Sequence, residues 1–355
     1  MSSFATMYSF AKKHGLRYFV TPEQADQLSY YFEPEQLSLN VIDQSLPDYY
    51  LSVFGLTLSR LYWESPWDKL DNVDNNFDYS RMEDTELHNG RAINIGDYPN
   101  HVRDIVPHLP DIRAKFRFRA RFRERAEDLL QAELMKRNMA GAEITWVGVH
   151  NRRTDYKHHL GALYGLNLLE ADYFKRAMNI FTQDYSQVIF IVVTDDMEWA
   201  EKNLKIPGIQ VQLYWKPTLK SEVRYSSQVA FLGHRRVLEL DTGHPLATAD
   251  DIGDDLALLA ACNHTILSYG TFGQWAALLA GGRTVISSTA ALTKEGRELR
   301  EAGLGPGTED TSGWVWLESG EAEAEGQSGA SDRAIPGVIS ISLICTLQIW
   351  ARFWR

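Results

Sequence analysis

The chain has 355 residues, enough for two domains of ordinary size with real hydrophobic cores. Hydrophobic residues make up 44% and charged residues 23%, which excludes a disordered chain. A formal net charge of −11 disfavours general binding to nucleic acid, and two cysteines, Cys262 and Cys345, set up no disulfide framework.

The chain opens with "MSSFATMYSFAKKHGLRYFV", which lacks the basic start and small-residue cleavage site of a secretory leader. Phe4, Met7, Tyr8 and Ala11 fall at helical spacing, Gly15 is a stop, and Arg17 to Val20 read as a short strand. Up to residue 110 helix and loop alternate, with irregular polar stretches such as "SPWDKLDNVDNNFDYS". From Arg113 to Arg125 seven basic residues occupy every second position. Alternation predicts a short extended lead-in, and Ala126, Leu129, Leu130 and Leu134 then predict a helix after Arg119. The run could also be a stripe for nucleic acid, but Glu124, Glu127 and Asp128 beside it and the acidic chain argue against that.

Beyond residue 143 the pattern changes. Strands are predicted at Ile144 to Val149, Val188 to Val193, Ile209 to Tyr214, Thr265 to Ser268 and Thr284 to Ser287. Helices are predicted near Glu170 to Asp184, Met197 to Leu204, Ile252 to Ala261 and Thr271 to Leu279. The fold class is therefore α/β, a Rossmann-type parallel sheet with helices on both faces. Such sheets bind ligands at the carboxyl ends of their strands, and His150, Asp195 and Gly270 each follow a predicted strand. The expected division is an N-terminal α/β domain over 1–140, the Rossmann-type domain over 141–304, and a Gly/Ser/Glu-rich linker with an apolar tail over 305–355. The tail, 334–351, is at the lower length limit for a membrane span and carries Ser, Thr and Gln; it reads as a divergent end.

Three stretches can carry chemistry. In "HNRRTD", 150–155, Arg152 and Arg153 follow a strand and point in opposite directions. One can grip a diphosphate with its planar fork while the other locks onto Asp155 or the sheet edge. In "SYGTFGQW", 268–275, two glycines open an apolar helix, whose free N–H groups attract anions. There Gly270 allows close approach, and Thr271 either adds a hydroxyl or caps the helix. The turn is neither a Walker loop nor a dinucleotide fingerprint. In "VTDDMEW", 193–199, Thr194, Asp195 and Asp196 suit an N-cap better than a metal site. No Asp-x-Asp occurs in the chain, so the charge of a metal ion would be replaced by Arg152. Asn263 begins an Asn-His-Thr sequon and is expected to be buried.

"VGVHNRRTDY", "FIVVTDDMEWAEKNL" and "DLALLAACNHTILSYGTFGQWAALLAGG" resemble the three motif blocks of the galactoside alpha-1,2-fucosyltransferase family, and the opening helix resembles that family's first helix. The resemblance runs from about residue 1 to about 300 and is weak through 55–140. It implies a GT-B-like fold with two facing domains. It also implies inverting, metal-independent transfer of fucose from GDP-fucose to the 2-hydroxyl of a terminal galactose. The acceptor would be a beta-galactoside glycan on glycoprotein or glycolipid, and the location the Golgi membrane, with no nucleic acid partner. By resemblance Arg152 would bind the donor diphosphate, with His150 near ribose and phosphate. Arg153 and Asp155 would orient the motif, Asp255 would bind guanine, and Gly270, Thr271 and Phe272 would cradle phosphate. The sequence identifies no general base; Asp155 is one candidate, and another acid could serve if the fold brings it within reach.

Three features depart from that pattern. Asn151 stands where the family has an apolar residue, and the chain beyond about 304 matches poorly. The family's Gly-Asn-Gln-type loop and membrane anchor do not precede Met1, so the sequence is expected to be incomplete. The alternative expectation is a catalytically inactive fragment that still binds a sugar nucleotide.

Overall fold

The computed structural model describes residues 1–41, 100–214, 249–308 and 312–318. The polar stretch at 65–80 and the apolar tail at 334–351 lie outside these residues.

Helix α1 (Ser2–Lys13) ends before Gly15, whose φ of +65° turns the chain. The strand expected at 17–20 is reduced to one parallel bridge, Val20 with Val41. Helix α2 (Pro22–Tyr31) starts at a Thr21–Gln24 capping box and is followed by the single-turn α3 (Pro34–Leu37). From residue 100 onward come α4 (Val102–Ile105), α5 (Leu109–Lys115) and α6 (Ala120–Lys136). The lead-in expected to be extended is helical as far as Lys115 and non-helical over 116–119, where Phe118 bridges to Phe32.

The alternating arginines of this lead-in are spent on tertiary contacts. Arg113 Nε donates to the Leu278 carbonyl at 2.6 Å, Arg119 Nε to Ser29 O at 2.6 Å, and Arg121 Nη2 to Tyr30 O at 2.9 Å. Arg117 and Arg123 converge on Glu33, and Arg125 pairs with Asp254 at 3.2 Å. Period-two spacing came from a helix break with partners on both sides, and these groups are not laid out as a stripe for phosphates.

The second half is a six-stranded sheet, all parallel, in the order β3-β2-β1-β4-β5-β6. In chain order it runs β1 (Thr145–Asn151), α7 (Tyr156–Tyr164), α8 (Ala171–Asp184), β2 (Val188–Thr194), α9 (Met197–Asn203) and β3 (Gln210–Tyr214). Then come α10 (Ala249–Ala260), β4 (His264–Leu267), α11 (Thr271–Ala280), β5 (Thr284–Ser287), α12 (Lys294–Leu299) and β6 (Trp314–Leu317). Every residue of β2 is buried, which is why a continuous apolar run marked it. Strand β6 lies inside the stretch expected to be linker: Trp314, Val315, Trp316 and Leu317 pair with β5 despite their Gly- and Glu-rich surroundings.

The chain order reverses between β1 and β4, so a crevice opens there at the carboxyl ends of the strands. The N-terminal helices close its back. Phe4, Phe116 and Trp275 form an aromatic chain with centroid spacings of 5.6 and 5.5 Å, and Trp275 Nε1 donates to Ser2 Oγ at 2.7 Å. Gly253 of α10 takes the ring of Phe122 from α6 so closely that a Cβ would lie 2.4 Å from it. One hydrophobic core runs through both halves. Among the described residues no helix is long and apolar enough to cross a membrane.

Candidate active site

Strand β1 ends two residues later than expected, so His150 and Asn151 belong to it rather than to the loop beyond. Both are buried. Asn151 Nδ2 donates to Thr194 Oγ1 at 3.3 Å, which ties β1 to β2 and gives this residue a structural role. His150 lies on the other side, toward β4 and α11. Its Nδ1 is 3.2 Å from Ser268 Oγ, its ring centroid is 5.5 Å from that of Phe272, and a Cβ on Gly273 would come within 2.6 Å of Nδ1. Burial, and then the charge of Arg152, push the His150 pKa down to about 3, so the ring is neutral at physiological pH.

Ser268 joins the two motifs. Its hydroxyl accepts the Arg152 backbone N–H at 3.2 Å, and its own N–H donates to the His150 carbonyl at 2.9 Å. The same hydroxyl shares a hydrogen bond with His150 Nδ1, its direction set by the imidazole tautomer.

The two arginines part as adjacent residues must. Arg153 is buried: its Nη1 donates to Leu169 O at 2.7 Å, and its guanidinium stacks 3.6 Å over Trp199. Glu170 and Asp196 lie at 3.6 and 3.8 Å. Burial lowers its pKa while those acids oppose the shift. Arg153, expected to orient the motif, ties β1 to α8 and α9. Arg152 stays at the mouth, its side chain 40% exposed. Its Nε and Nη2 donate to the two Asp155 oxygens at 2.9 and 2.5 Å. Burial opposes its charge, the Asp155 bonds outweigh that, and its pKa is raised. Nη1 and the second Nη2 hydrogen are not engaged by Asp155.

The loop between β1 and α7 is held by Asp195. Its Oδ1 accepts Arg153 N–H at 2.8 Å, and its Oδ2 accepts Thr154 N–H at 3.3 Å and the Thr154 hydroxyl at 2.7 Å. Asp196 caps α9 by accepting Trp199 N–H at 3.0 Å. The paired acids are thus structural.

On the β4 side, Gly270 is the N-cap of α11, with no side-chain cap, and Thr271 is exposed at the first helical position. Thr271 therefore does not cap the helix, and its first N–H groups lack a side-chain acceptor. Two facts require glycine at 270: its φ of +96°, and Tyr156, whose hydroxyl would lie 2.2 Å from a Cβ. The structure thus brings His150, Arg152, Asp155, Gly270, Thr271 and Phe272 to one crevice and turns Arg153 away. Beside it a small cavity is lined by Ser268, Gly270, Gln274 and Glu295.

The sequence profile of glycosyl transferase family 11 matches residues 68–224 and 234–306. The chain belongs to this family. Galactoside 2-alpha-L-fucosyltransferase SEC1 of Bos taurus is 26% identical over 296 residues, covering 80% of this chain and 62% of that protein. Galactoside alpha-(1,2)-fucosyltransferase 1 of Rattus norvegicus is 30% identical over 287 residues, covering 80% and 61%. The chain thus spans about three-fifths of the length of these relatives. Among solved structures, NodZ alpha-1,6-fucosyltransferase soaked with GDP-fucose covers 78% of this chain and 86% of its own, at 17% identity and TM-score 0.36. That likeness is too slight to carry an argument, and the assignment rests on the family match.

In this member of glycosyl transferase family 11, the expected guanine residue Asp255 lies on α10, one position after Asp254. Asp254 is 2% exposed and held by Arg125, and helical geometry turns Asp255 roughly 100° from it. Asn263, expected to be buried, is exposed in the α10–β4 turn, where its Oδ1 accepts Trp146 N–H at 2.8 Å. Sequence reasoning missed Ser268, Tyr156 and the loop-holding role of Asp195. The Ser268 signal was available: a hydroxyl at the end of β4, directly before the glycine turn.

Proposed function

We propose that this family 11 glycosyltransferase moves L-fucose from GDP-fucose to the 2-hydroxyl of a terminal galactose, with inversion and without a metal ion. The acceptor is a beta-galactoside glycan of a glycoprotein or glycolipid, and the enzyme works at the Golgi membrane. The supporting observation is the convergence of Arg152, neutral His150 and the uncapped start of α11 on the β1/β4 crevice, joined through Ser268. The names of the curated relatives supply the reaction class.

In this reading the exposed edge of Arg152 and the first N–H groups of α11 meet the diphosphate, while Gly270, Thr271 and Phe272 shape its cradle. His150, kept neutral by burial, lies beside ribose and phosphate. Asp255 would take the guanine edge. The galactose oxygen attacks the anomeric carbon from the face opposite GDP. As the carbon–oxygen bond to GDP breaks, charge grows on the diphosphate beside groups already oriented to receive it. Asp155 is unsuited to the role of general base, because both its oxygens accept from Arg152. Its part is to hold the guanidinium plane. In this reading residues 1–140 form the acceptor side, and the donor side runs from 141 through β6.

Isothermal titration of GDP with and without chelator, for the native chain and Arg152→Ala, tests the reading. Loss of about tenfold or more in the variant, with no effect of chelator, is expected. Unchanged affinity in the variant removes the diphosphate assignment, and abolition by chelator removes metal independence. Fucose transfer to a beta-galactoside then separates an enzyme from an inactive sugar-nucleotide binder.

A further inference from the structure

Tyr156, the first residue of α7, has no part in the reading above, yet it touches both halves of the crevice. The Arg152 guanidinium lies 4.9 Å over its ring, so the ring supports the face of the cation while Asp155 holds its edge. At the far end of the same ring, the hydroxyl sits against Gly270, close enough that any side chain there would collide with it. Behind it the His159 ring packs at 5.1 Å and 37°, which fixes the aromatic plane. Among the described residues the hydroxyl has no hydrogen-bond partner, although it stands at the start of a helix whose first N–H groups also lack a side-chain acceptor.

We propose that Tyr156 is a phosphate-recognition residue: its ring carries Arg152, and its hydroxyl donates to a donor-phosphate oxygen beside the Gly270 turn. This rests on the diphosphate reading of the crevice and adds to it a third kind of contact. A phenol suits that position because it must donate to an anion without becoming one. Burial, and then Glu295, push its pKa up to about 12, with Arg152 opposing and Asp155 and Tyr164 adding to the shift. The hydroxyl therefore keeps its proton across physiological pH. The same contact explains why residue 270 cannot carry a Cβ.

The test measures GDP and guanosine affinities of the native chain, Tyr156→Phe, Tyr156→Leu and Arg152→Ala by calorimetry, with thermal unfolding as a check on folding. Tyr156→Phe should weaken GDP about tenfold and leave guanosine unchanged, because only the phosphates lose a donor. Tyr156→Leu should weaken GDP further, since the support of Arg152 goes as well. Native-like GDP binding by Tyr156→Phe, with Arg152→Ala impaired, overturns the Tyr156 role and leaves the diphosphate site standing. Equal losses for GDP and guanosine also overturn it, by marking a structural effect. Native-like binding by Arg152→Ala overturns the diphosphate reading itself, and the Tyr156 proposal with it.

Discussion

Glu298→Gln should stabilise this protein at alkaline pH and leave it unchanged in acid. Glu298 lies in α12 and is 6% exposed, facing the Val102 N–H at the start of α4. Burial, and then the neighbouring Glu301, raise its pKa from 4.5 to about 7, while the Val102 bond, Lys294 and Arg103 hold the shift back. In the unfolded chain the carboxyl ionises near 4.5; in the folded chain it keeps its proton up to about 7. Below 4.5 both states are protonated and the site carries no penalty. As pH rises from 4.5 through 7, the unfolded chain releases the proton first, and folding stability falls. Above 7 the full penalty applies, at most about 3 kcal/mol for a displacement of this size. Glutamine keeps an acceptor for Val102 N–H and never ionises. The variant should therefore be more stable than the native chain by about 2–3 kcal/mol at pH 8. That corresponds to roughly 5 °C in melting temperature, and the gap should close by about pH 5. Thermal unfolding of both proteins across that range measures it. A gap that does not change with pH, or a variant less stable at pH 8, would show that Glu298 is not a buried ionising group and would refute the reasoning.

Two further substitutions probe how the crevice is held. Gly253→Ala should cost about 1–3 kcal/mol despite alanine's helix preference, because its Cβ meets the buried Phe122 ring; partial rescue by Phe122→Leu in the same chain would identify the clash in denaturant unfolding curves. Asp195→Ala should weaken GDP binding about fivefold or more with little loss of stability, since it frees the Arg153–Thr154 loop that leads to Arg152, and Asp195→Asn should fall between the two in calorimetry.

How far this was legible in the sequence follows from where each element hides its side chains. The five strands read from sequence lie within one or two residues of the observed ones, and β2, buried along its whole length, shows as a continuous apolar run. Strand β6 escaped because four residues, two of them Trp, sit among glycines and acids whose composition signals linker. Helix α7 escaped for the opposite reason: of its nine residues only Leu160 is buried, so "YKHHLGALY" shows no apolar stripe to read. Asn263 was misplaced because its motif lies between a buried helix and a buried strand, while the residue itself occupies the turn.

The arginine pair marks the sharper boundary. Strand geometry dictates that Arg152 and Arg153 point to opposite sides, but not which side holds the ligand. That choice is made at a distance in sequence, by Leu169 O and Trp199 on one side and by Ser268 and Gly270 on the other. Once Asn151 Nδ2 donates to Thr194 and Asp195 takes the Arg153 N–H, the phase of β1 and its loop is fixed, and Arg153 can only turn inward. Arg152 is then left at the mouth because its neighbour is turned inward, not because of any property of its own. A change at Asn151 or Asp195 should therefore act on ligand affinity through Arg152, although neither side chain is among those placed against the ligand.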